Sequence, residues 1–337
     1  MNICIIGGSG FIGGYLIDIL KRDHSVLNID KIRSSLHSDI AFNECDIRDY
    51  KKLKQSIPST TDFIVLLAAE HRDDVSPTSL YYEVNVEGTH NVLKIMNEKH
   101  IENILFTSSV SVYGLNKNNP DEFSPADPFN HYGKSKLEAE EVLRRWFDND
   151  QNGKTLIILR PTVIFGPGNR GNVYNLLAQI SLGKFLMVGK GTNKKSMAYV
   201  ENLAGFISHC INSGSKKFHL YNYVDKPDLT TTELVEQAEL AIGKKILPVK
   251  IPYWVGFATA KILDIVFGLL KKKNSLSAVR VKKFCATTQF DSATIQATGY
   301  IAPFTLAKGL EITIKSITEN KKIIFSERLT PIITASI

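Results

Sequence analysis

The chain has 337 residues, 43% of them hydrophobic and 22 of them glycine, which suffices for one large α/β unit or for a nucleotide-binding domain with a smaller partner domain. Its four cysteines lie far apart, without a Cys-x-x-Cys or a cysteine–histidine cluster, so we expect a reduced, cytosolic protein with no metal site. The formal charge of +7 comes from one stretch, residues 244–283, which contains ten basic residues and a single acidic one, Asp264. Such local basicity requires a local explanation.

The N-terminal residues follow the pattern of a nucleotide-binding strand, turn and helix. Asn2–Ile6 is a short apolar run typical of a strand buried on both faces of a parallel sheet, and it leads directly into a glycine loop, so we expect no signal peptide. Glycines in this loop allow a tight turn, close approach to a pyrophosphate and packing of the next helix on the strand. The candidate cofactor contacts here are Gly7, Ser9, Gly10, Phe11, Ile12 and Gly13.

The second predicted strand, Ser25–Asp30, ends in an acidic residue. A carboxylate at Asp30 would accept hydrogen bonds from the adenosine ribose hydroxyls and repel a 2′-phosphate, which favours NAD. Lys31 and Arg33 follow directly and can serve a phosphate, so NADP is the alternative on these residues.

Strand and helix patterns then alternate for about 160 residues, a rhythm that predicts a Rossmann-type doubly wound parallel sheet. Strands are expected before Cys45, at 62–69 and at Ile104–Thr107, and helices at 79–98 and 132–145. We place an NAD-binding domain at 1–165, a smaller substrate-binding α/β region at 166–315, with some elements returning to the Rossmann core, and a tail at 316–337. Further candidate cofactor contacts are Asp46, Ile47, Leu67, Ala68, Ala69, Asn85 and Pro161.

Tyr132 and Lys136 stand four residues apart on the last of these helices and therefore share one face. A neighbouring ammonium favours the phenolate form of a tyrosine and brings its pKa toward the neutral range. Ser109, at the end of the preceding strand, can hydrogen-bond the substrate oxygen whose proton the tyrosine takes. The alternative is a surface tyrosine beside a solvated lysine, because short motifs are prone to false positives.

Taken together, these motifs resemble the extended short-chain dehydrogenase/reductase family of NAD-dependent epimerases and dehydratases, and within it the sugar-nucleotide epimerases. The stretches Leu159–Gly168, Met197–Ala204 and Thr298–Tyr300 agree with this resemblance, which extends over roughly residues 1–315. It implies that Ser109, Tyr132 and Lys136 are catalytic and that Tyr132 and Lys136 also contact NAD.

The implied reaction is 4-epimerisation. Tyr132 takes the proton of the sugar 4-hydroxyl, Ser109 orients that oxygen, and the C4 hydride passes to NAD and returns to the opposite face of a transient 4-keto sugar. Dehydratases of the family have Asp-Glu directly after the position of Ser109. Here Val110 and Ser111 stand there, so we do not expect dehydration.

Less common stretches at 66–82, 114–117, 127–131, 169–177, 221–228 and 279–285 are similar to enterobacterial epimerases that act on N-acetylglucosamine linked to undecaprenyl diphosphate. This similarity implies a lipid-linked sugar substrate, O-antigen synthesis at the cytoplasmic face of the inner membrane, a homodimer and no nucleic-acid partner. Candidate substrate contacts are Glu70, His71, Ser109, Ser111, Arg170, Asn172 and Arg280. The two arginines are candidates for the diphosphate, although either can be a solvated arginine, and Glu70 and His71 can belong to an ordinary capped loop.

The basic apolar segment 250–283 includes residues 253–270, whose only charges are Lys261 and Asp264, followed by Lys271–Lys273. As a helix these residues would span about 27 Å, marginal for a bilayer core of ~30 Å, and the internal charges argue against crossing. We predict an interfacial helix in peripheral contact with anionic lipid. The alternative is a core helix of the substrate-binding region.

Two other classes of function remain open on the sequence. The first is a soluble UDP-sugar 4-epimerase or an NAD(P)H-dependent 4-ketoreductase, which would use the same residues. The ketoreductase differs in consuming its cofactor stoichiometrically. The second is a non-catalytic NAD-binding regulator, which the intact Ser109, Tyr132 and Lys136 disfavour.

Overall fold

The computed structural model describes residues 1–72, 75–115, 117–169, 171–182, 185–214, 216–246, 249–270 and 277–333. The chain divides into two compact units. Unit 1 consists of Met1–Thr162, Val200–Val224 and Phe290–Pro303. Unit 2 consists of Val163–Tyr199, Asp225–Gln289 and the chain from Phe304 onward. The domain division near residue 165 stays a prediction.

The strands of the described residues are, in chain order, β1 (Asn2–Ile6), β2 (Ser25–Asp30), β3 (Ala41–Glu44), β4 (Phe63–Leu66), β5 (Asn103–Thr107), β6 (Thr155–Pro161), β7 (Val163–Phe165), β8 (Leu186–Val188), β9 (Lys194–Tyr199), β10 (Phe218–Tyr223), β11 (Asp225–Thr230) and β12 (Val249–Ile251). The helices are α1 (Phe11–Leu20), α2 (Tyr50–Ser56), α3 (Ser79–Tyr82), α4 (Gly88–Lys99), α5 (His131–Asp148), α6 (Asn172–Ser181), α7 (Val200–Asn212), α8 (Thr231–Ile242), α9 (Tyr253–Leu269), α10 (Ala278–Cys285), α11 (Ala293–Gln296) and α12 (Leu306–Ile333).

Unit 1 is built on a seven-stranded sheet in the order β10-β6-β5-β4-β1-β2-β3. Every neighbouring pair in this sheet is parallel. The predicted doubly wound parallel sheet is therefore confirmed. Parallel strands require crossover connections, and α-helices supply most of them. The exception in this sheet is the link between β2 and β3, which contains only a short 3₁₀ turn at Ser35–His37.

The strand order reverses at β1, which pairs with β2 on one side and with β4 on the other. Open α/β sheets bind ligands at this kind of reversal, beyond the carboxyl ends of the strands. Ile3–Ile6 are buried in the sheet, so the glycine loop that follows β1 starts at a fixed point on this edge. The backbone N–H groups of Leu67 and Ala68, just after β4, both donate to the Ile6 carbonyl at 2.8 Å. These bonds hold the residues after β4 beside the end of β1.

Apolar side chains of α4 and α5 pack against the sheet. Val92 and Met96 of α4 and Leu143 and Trp146 of α5 belong to one buried cluster with strand residues such as Ile104. Burying side chains of this size contributes roughly 1.5–3 kcal/mol each, before the entropy of ordering them is counted. This packing fixes α5, the helix of the Tyr/Lys pair, against the sheet.

Unit 2 contains a three-stranded sheet in the order β11-β9-β7 and a two-stranded sheet of β12 and β8. Its core includes Phe165, Tyr199 and Leu234, together with Leu310 and Ile317 of α12. The helix α12 thus continues through positions that the sequence marks only as a tail.

Candidate active site

The glycine loop makes a close backbone contact after β1. Gly7 has φ of +91°, and a Cβ built on it would lie 2.4 Å from the backbone nitrogen of Ala68. Any larger residue would have to displace the end of β4 as well as adopt a strained conformation. Gly7 and Ala68, both predicted cofactor contacts, are therefore brought together at the edge of the sheet.

The start of α1 is open toward this loop. Gly10 occupies the N-cap position and supplies no side-chain hydrogen bond to the helix, which leaves the first-turn N–H groups available to an anion such as a pyrophosphate. A Cβ on Gly13 would lie 2.4 Å from the carbonyl oxygen of Gly8. The helix packs this closely on the loop only because Gly13 has no side chain.

We expect Gly13→Ala to abolish retention of NAD and Gly14→Ala to preserve it. Alanine raises helix propensity by about 1 kcal/mol at either position, but at Gly13 its Cβ meets Gly8 backbone, whereas at Gly14 the nearest atom lies 3.4 Å away. The measurements are the NAD content of purified protein and the free energy of unfolding in urea. Equal NAD content in the two variants would contradict the expectation that NAD binding depends on the close packing of Gly13 on the glycine loop.

Asp30 ties the end of β2 to the glycine loop. Its carboxylate accepts hydrogen bonds from the backbone nitrogens of Ser9, at 3.0 Å, and Lys31, at 2.7 Å. Each oxygen retains lone-pair capacity for a ribose hydroxyl. Arg33, the residue available for a 2′-phosphate, donates to the Ser38 carbonyl at 2.9 Å. The glycine loop after β1, the uncapped start of α1 and the Asp30 carboxylate together fit NAD.

Asp46 and Ile47 follow β3. Asp46 accepts two hydrogen bonds from the Arg48 guanidinium, at 2.9 and 3.1 Å, and these bonds lower the pKa of its carboxyl. Ile47 is buried against Gly88, where a Cβ would lie 2.9 Å from the Ile47 side chain. Contact of either residue with the adenine stays a prediction.

Asn85 forms a buried connection that the sequence did not reveal. Its side chain accepts from the Glu70 backbone nitrogen at 2.9 Å, and donates to the Glu70 carbonyl at 3.0 Å and to the Ser135 hydroxyl at 2.9 Å. These contacts fasten Glu70, in the loop after β4, to α5 through Asn85. Glu70 accepts a side-chain hydrogen bond from Arg72 at 3.2 Å, while His71 is exposed.

Ser109 begins a 3₁₀ turn at Val110–Tyr113. Its hydroxyl accepts from the Ser111 backbone nitrogen and donates to the Ser111 hydroxyl, both at 3.1 Å. The side chain of Ser109 is buried. The structure thus brings together Ser109 and Ser111, two of the predicted substrate contacts, at the carboxyl end of β5.

The helix α5 carries Tyr132 and Lys136. Asn130 caps it by accepting from the Gly133 nitrogen at 2.8 Å, so Tyr132, which is half-buried, stands in the first turn. Lys136 is only 1% exposed, and its Nζ lies 4.0 Å from the centroid of the Phe106 ring. The alternative of a solvated lysine is therefore wrong.

Lys136 is a cation held in an apolar environment. Burial lowers its pKa to about 7, and the negative charge of Glu140 acts in the opposite direction. A protonated Lys136 one turn from Tyr132 would stabilise the phenolate more strongly in this environment than in water. The arrangement suits a tyrosine that exchanges a proton with substrate near neutral pH.

The remaining predicted contacts have different positions. Pro161 is buried at the end of β6 in unit 1. Asn172 begins α6 and Arg280 is exposed on α10, both in unit 2. Arg170 lies outside the described residues. Binding of substrate by these positions stays a prediction.

Comparison with known proteins identifies a family and several relatives. Residues 3–223 match the model of the NAD dependent epimerase/dehydratase family. The chain is 52% identical over 314 residues to the N-acetyl-alpha-D-glucosaminyl-diphospho-ditrans,octacis-undecaprenol 4-epimerase of Escherichia coli O157:H7, with 93% of this chain and 94% of the relative covered. It is 28% identical over 325 residues to a UDP-glucose 4-epimerase of Vibrio cholerae, with 94% and 95% covered.

Solved structures with the same fold include further epimerases. A UDP-glucuronic acid 4-epimerase from Bacillus cereus, in complex with NAD, has a TM-score of 0.75 at 20% identity and covers 95% of this chain and 99% of its own. A UDP-glucose 4-epimerase from Thermotoga maritima, with UDP-glucose, has a TM-score of 0.76 at 18% identity, with 95% and 99% covered. At these identities the likeness is one of fold.

Proposed function

The chain belongs to the NAD-dependent epimerase/dehydratase family, and we propose that it is an isomerase that interconverts N-acetylglucosamine and N-acetylgalactosamine on undecaprenyl diphosphate. The observation that carries this proposal is the 52% identity, over 93% of the chain, to a 4-epimerase named for that substrate. The buried Lys136 and the Ser109 turn supply the chemistry that the reaction needs. NAD is the cofactor.

In this mechanism the protein moves one proton and orients one oxygen. The Tyr132 phenolate removes the proton of the sugar 4-hydroxyl, while Ser109 donates a hydrogen bond to the same oxygen. Lys136 holds the phenolate in the charged form through its own positive charge. NAD, which the glycine loop and Asp30 would hold, would supply reversible hydride transfer at C4 of the sugar. The transient 4-keto sugar turns over before the hydride returns, and Tyr132 gives the proton back.

One feature of the sequence favours epimerisation over dehydration within the family. Val110 and Ser111, directly after Ser109, provide no carboxylate to act as acid or base in the elimination of water. Because hydride leaves and returns in the same turnover, no net oxidation occurs. A ketoreductase would instead consume one reduced cofactor for each product.

The carrier of the sugar is tested by direct competition. Purified protein is offered undecaprenyl diphosphate-N-acetylglucosamine and UDP-N-acetylglucosamine, separately and together, and the N-acetylgalactosamine products are separated by chromatography. We expect conversion of the lipid-linked sugar without net change in NADH absorbance. Conversion of the UDP-sugar alone would support the soluble UDP-sugar epimerase instead.

A lipid-linked substrate is most accessible to a protein on the membrane surface, and α9 offers a surface suited to that location. One face of α9 packs on α10 through a cluster that includes Ala260 and Val281. Along the rest of the helix, large apolar side chains are exposed, among them Trp254, Ile262, Ile265 and Leu269. A helix of the core would bury these side chains.

The sequence after α9 favours binding to anionic lipid. Leu270 is followed by Lys271–Lys273, and each basic residue near an anionic surface contributes about 1 kcal/mol to binding. Within the described part of the chain, no helix combines the length and apolar character needed to span a bilayer. We therefore propose peripheral contact with the cytoplasmic face of the inner membrane.

We expect Leu269→Gln together with Ile265→Gln to reduce flotation of the protein with anionic liposomes severalfold. The substitutions remove apolar side chains that would enter the membrane interface, where each Å² buried contributes about 25 cal/mol to binding. In the protein itself Leu269 and Ile265 are 80% and 65% exposed, so their replacement should change its stability little. Leu240→Gln is the matched control, since Leu240 is 76% exposed on α8 of the same unit. Absence of liposome binding by the unsubstituted protein would end this part of the proposal.

The homodimer is a further part of the proposal, with contacts through the helices that begin near Ser79 and Tyr132. Sedimentation equilibrium at several protein concentrations tests it, and a mass of one chain throughout would contradict it. The diphosphate contacts proposed for Arg170 and Arg280 are tested by single substitutions to glutamine. We expect these to raise KM more than they lower kcat.

A further inference from the structure

A chain of buried polar groups runs behind the candidate active site within unit 1. The Arg160 guanidinium donates to the Glu140 carboxylate through Nε, at 3.0 Å, and through Nη2, at 2.5 Å. Its Nη1 donates to the Tyr113 hydroxyl at 2.7 Å, which in turn donates to the Asn222 side chain at 2.8 Å. All four residues are buried, and the assignments to cofactor and substrate leave them without a role.

Glu140 connects this chain of groups to the segment of Ser109. The Ser108 hydroxyl donates to the Glu140 carboxylate, and Ser108 directly precedes Ser109. The Ser108 backbone nitrogen is fixed as well, since it donates to the Leu159 carbonyl at 2.6 Å. The end of β5 is thus held to both α5 and β6 just before the predicted catalytic serine.

Glu140 also lies on the helix that carries the other two predicted catalytic residues. It follows Lys136 by one turn of α5, and Lys136 follows Tyr132 by one turn. Among the described residues, the Lys136 ammonium lies over the Phe106 ring of β5 and is influenced by the negative charge of Glu140 on its own helix. Ser108 and Arg160 donate hydrogen bonds to Glu140. One carboxylate therefore contacts the serine segment and influences the charge of the lysine.

We propose that Glu140 is a positioning residue, which through Ser108 fixes the Ser109 hydroxyl relative to Tyr132 and Lys136. Arg160, whose guanidinium also donates to the Tyr113 hydroxyl, holds the carboxylate in the orientation that reaches Ser108. The inference rests on the proposed function, because it assigns Glu140 to the same proton-transfer site. A positioning role would explain why the Glu140–Arg160 ion pair is buried. Stability alone does not require the pair, since well-packed apolar residues often replace buried ion pairs without loss of stability.

The variant that isolates this connection is Ser108→Ala. It removes one hydrogen bond to Glu140 and leaves the Glu140–Arg160 ion pair intact, whereas Glu140→Gln would leave a buried arginine without its counter-charge and strongly destabilise the fold. Thr107→Val is the matched control. It removes the hydrogen bond from the Thr107 hydroxyl to the Leu66 carbonyl, 3.3 Å long, at the same strand end.

We expect Ser108→Ala to lower kcat by about 10- to 100-fold, the effect of a small displacement of a reacting group. KM and NAD content should stay within twofold of the values for Thr107→Val. If the Ser108–Glu140 hydrogen bond were purely structural, both substitutions would lower the Tm, and kcat would not differ between the two variants. Equal kcat values in the two variants would overturn the proposal.

A second measurement does not depend on turnover. The Ser111 amide donates to the Ser109 hydroxyl at 3.1 Å, so its hydrogen exchange reports on the position of Ser109. We expect faster exchange in Ser108→Ala than in Thr107→Val, and equal rates would overturn the positioning role. If the unsubstituted protein fails to epimerise either sugar, the proposed function falls, while the exchange rates still decide whether Ser108 and Glu140 hold Ser109.

Discussion

We expect Tyr132→Phe to lower kcat by about 10²–10⁴-fold, the usual contribution of a positioned general acid–base group, without loss of bound NAD. The substitution removes the hydroxyl that takes and returns the substrate proton, but it keeps the ring of a half-buried residue in the first turn of α5. The measurements are kcat for epimerisation and the NAD content of the purified variant. The free energy of unfolding should change by less than about 1 kcal/mol.

Tyr50→Phe is the control for removal of a tyrosine hydroxyl from the same unit. The Tyr50 hydroxyl donates to Glu98 at 2.6 Å on the surface, and its removal should leave kcat unchanged. Full turnover by Tyr132→Phe would rule out the proposed mechanism. Turnover of neither sugar by the unsubstituted protein would instead revive the NAD-binding regulator.

Lys136→Met should lose at least about 100-fold in kcat and yet be more stable than the unsubstituted protein at neutral pH. Methionine fills a similar volume without a charge, so it avoids the cost of burying an ammonium group. The substitution also removes the cation that favours the Tyr132 phenolate. Activity and stability are therefore expected to change in opposite directions.

The stability difference should depend on pH with a defined sign. Burial lowers the pKa of Lys136 from 10.5 to about 7, so between these values the unfolded chain binds a proton that the folded chain has released. Stability of the unsubstituted protein relative to Lys136→Met then rises with pH across this window. Below pH 7 the methionine variant has its full advantage, at most about 5 kcal/mol for a shift of this size, and above 10.5 that advantage is gone.

Urea unfolding of the NAD-free proteins at pH 6.5 and at pH 9.5 measures this dependence. Groups other than Lys136 titrate in both proteins, and their contributions largely cancel in the difference. Lys134→Met is the matched control, because Lys134 is exposed two residues earlier on the same helix. A difference between Lys136→Met and the unsubstituted protein that is the same at both pH values would contradict the burial of a titrating ammonium.

The first strands, and the loop between β1 and α1, could be predicted from local patterns. β1 and β2 occupy Asn2–Ile6 and Ser25–Asp30, as predicted, because short segments rich in apolar residues that end at a glycine loop or an acidic residue are typical of buried strands. The close approach of Gly7 to Ala68 follows from the same motif. Such features depend on neighbours in sequence or on a well-known packing rule.

The buried polar contacts could not be predicted in this way. Glu140 and Arg160 lie twenty residues apart on a helix and a strand, and charged residues are almost never fully buried unless paired. Sequence alone shows neither partner. Asn85 is a similar case, since its bonds to Glu70 and Ser135 depend on three separate elements meeting in the folded unit.

The assembly of unit 1 from three separate segments has a consequence for synthesis on the ribosome. Residues up to Thr162 emerge first, yet β10, which covers the edge of β6, belongs to the second segment. Until β10 is made, β6 exposes unpaired backbone groups of the kind that promote aggregation. The third segment supplies Phe290, whose ring packs 5.9 Å from that of Tyr113. A nascent chain that stops before Phe290 therefore leaves the first-made unit unfinished.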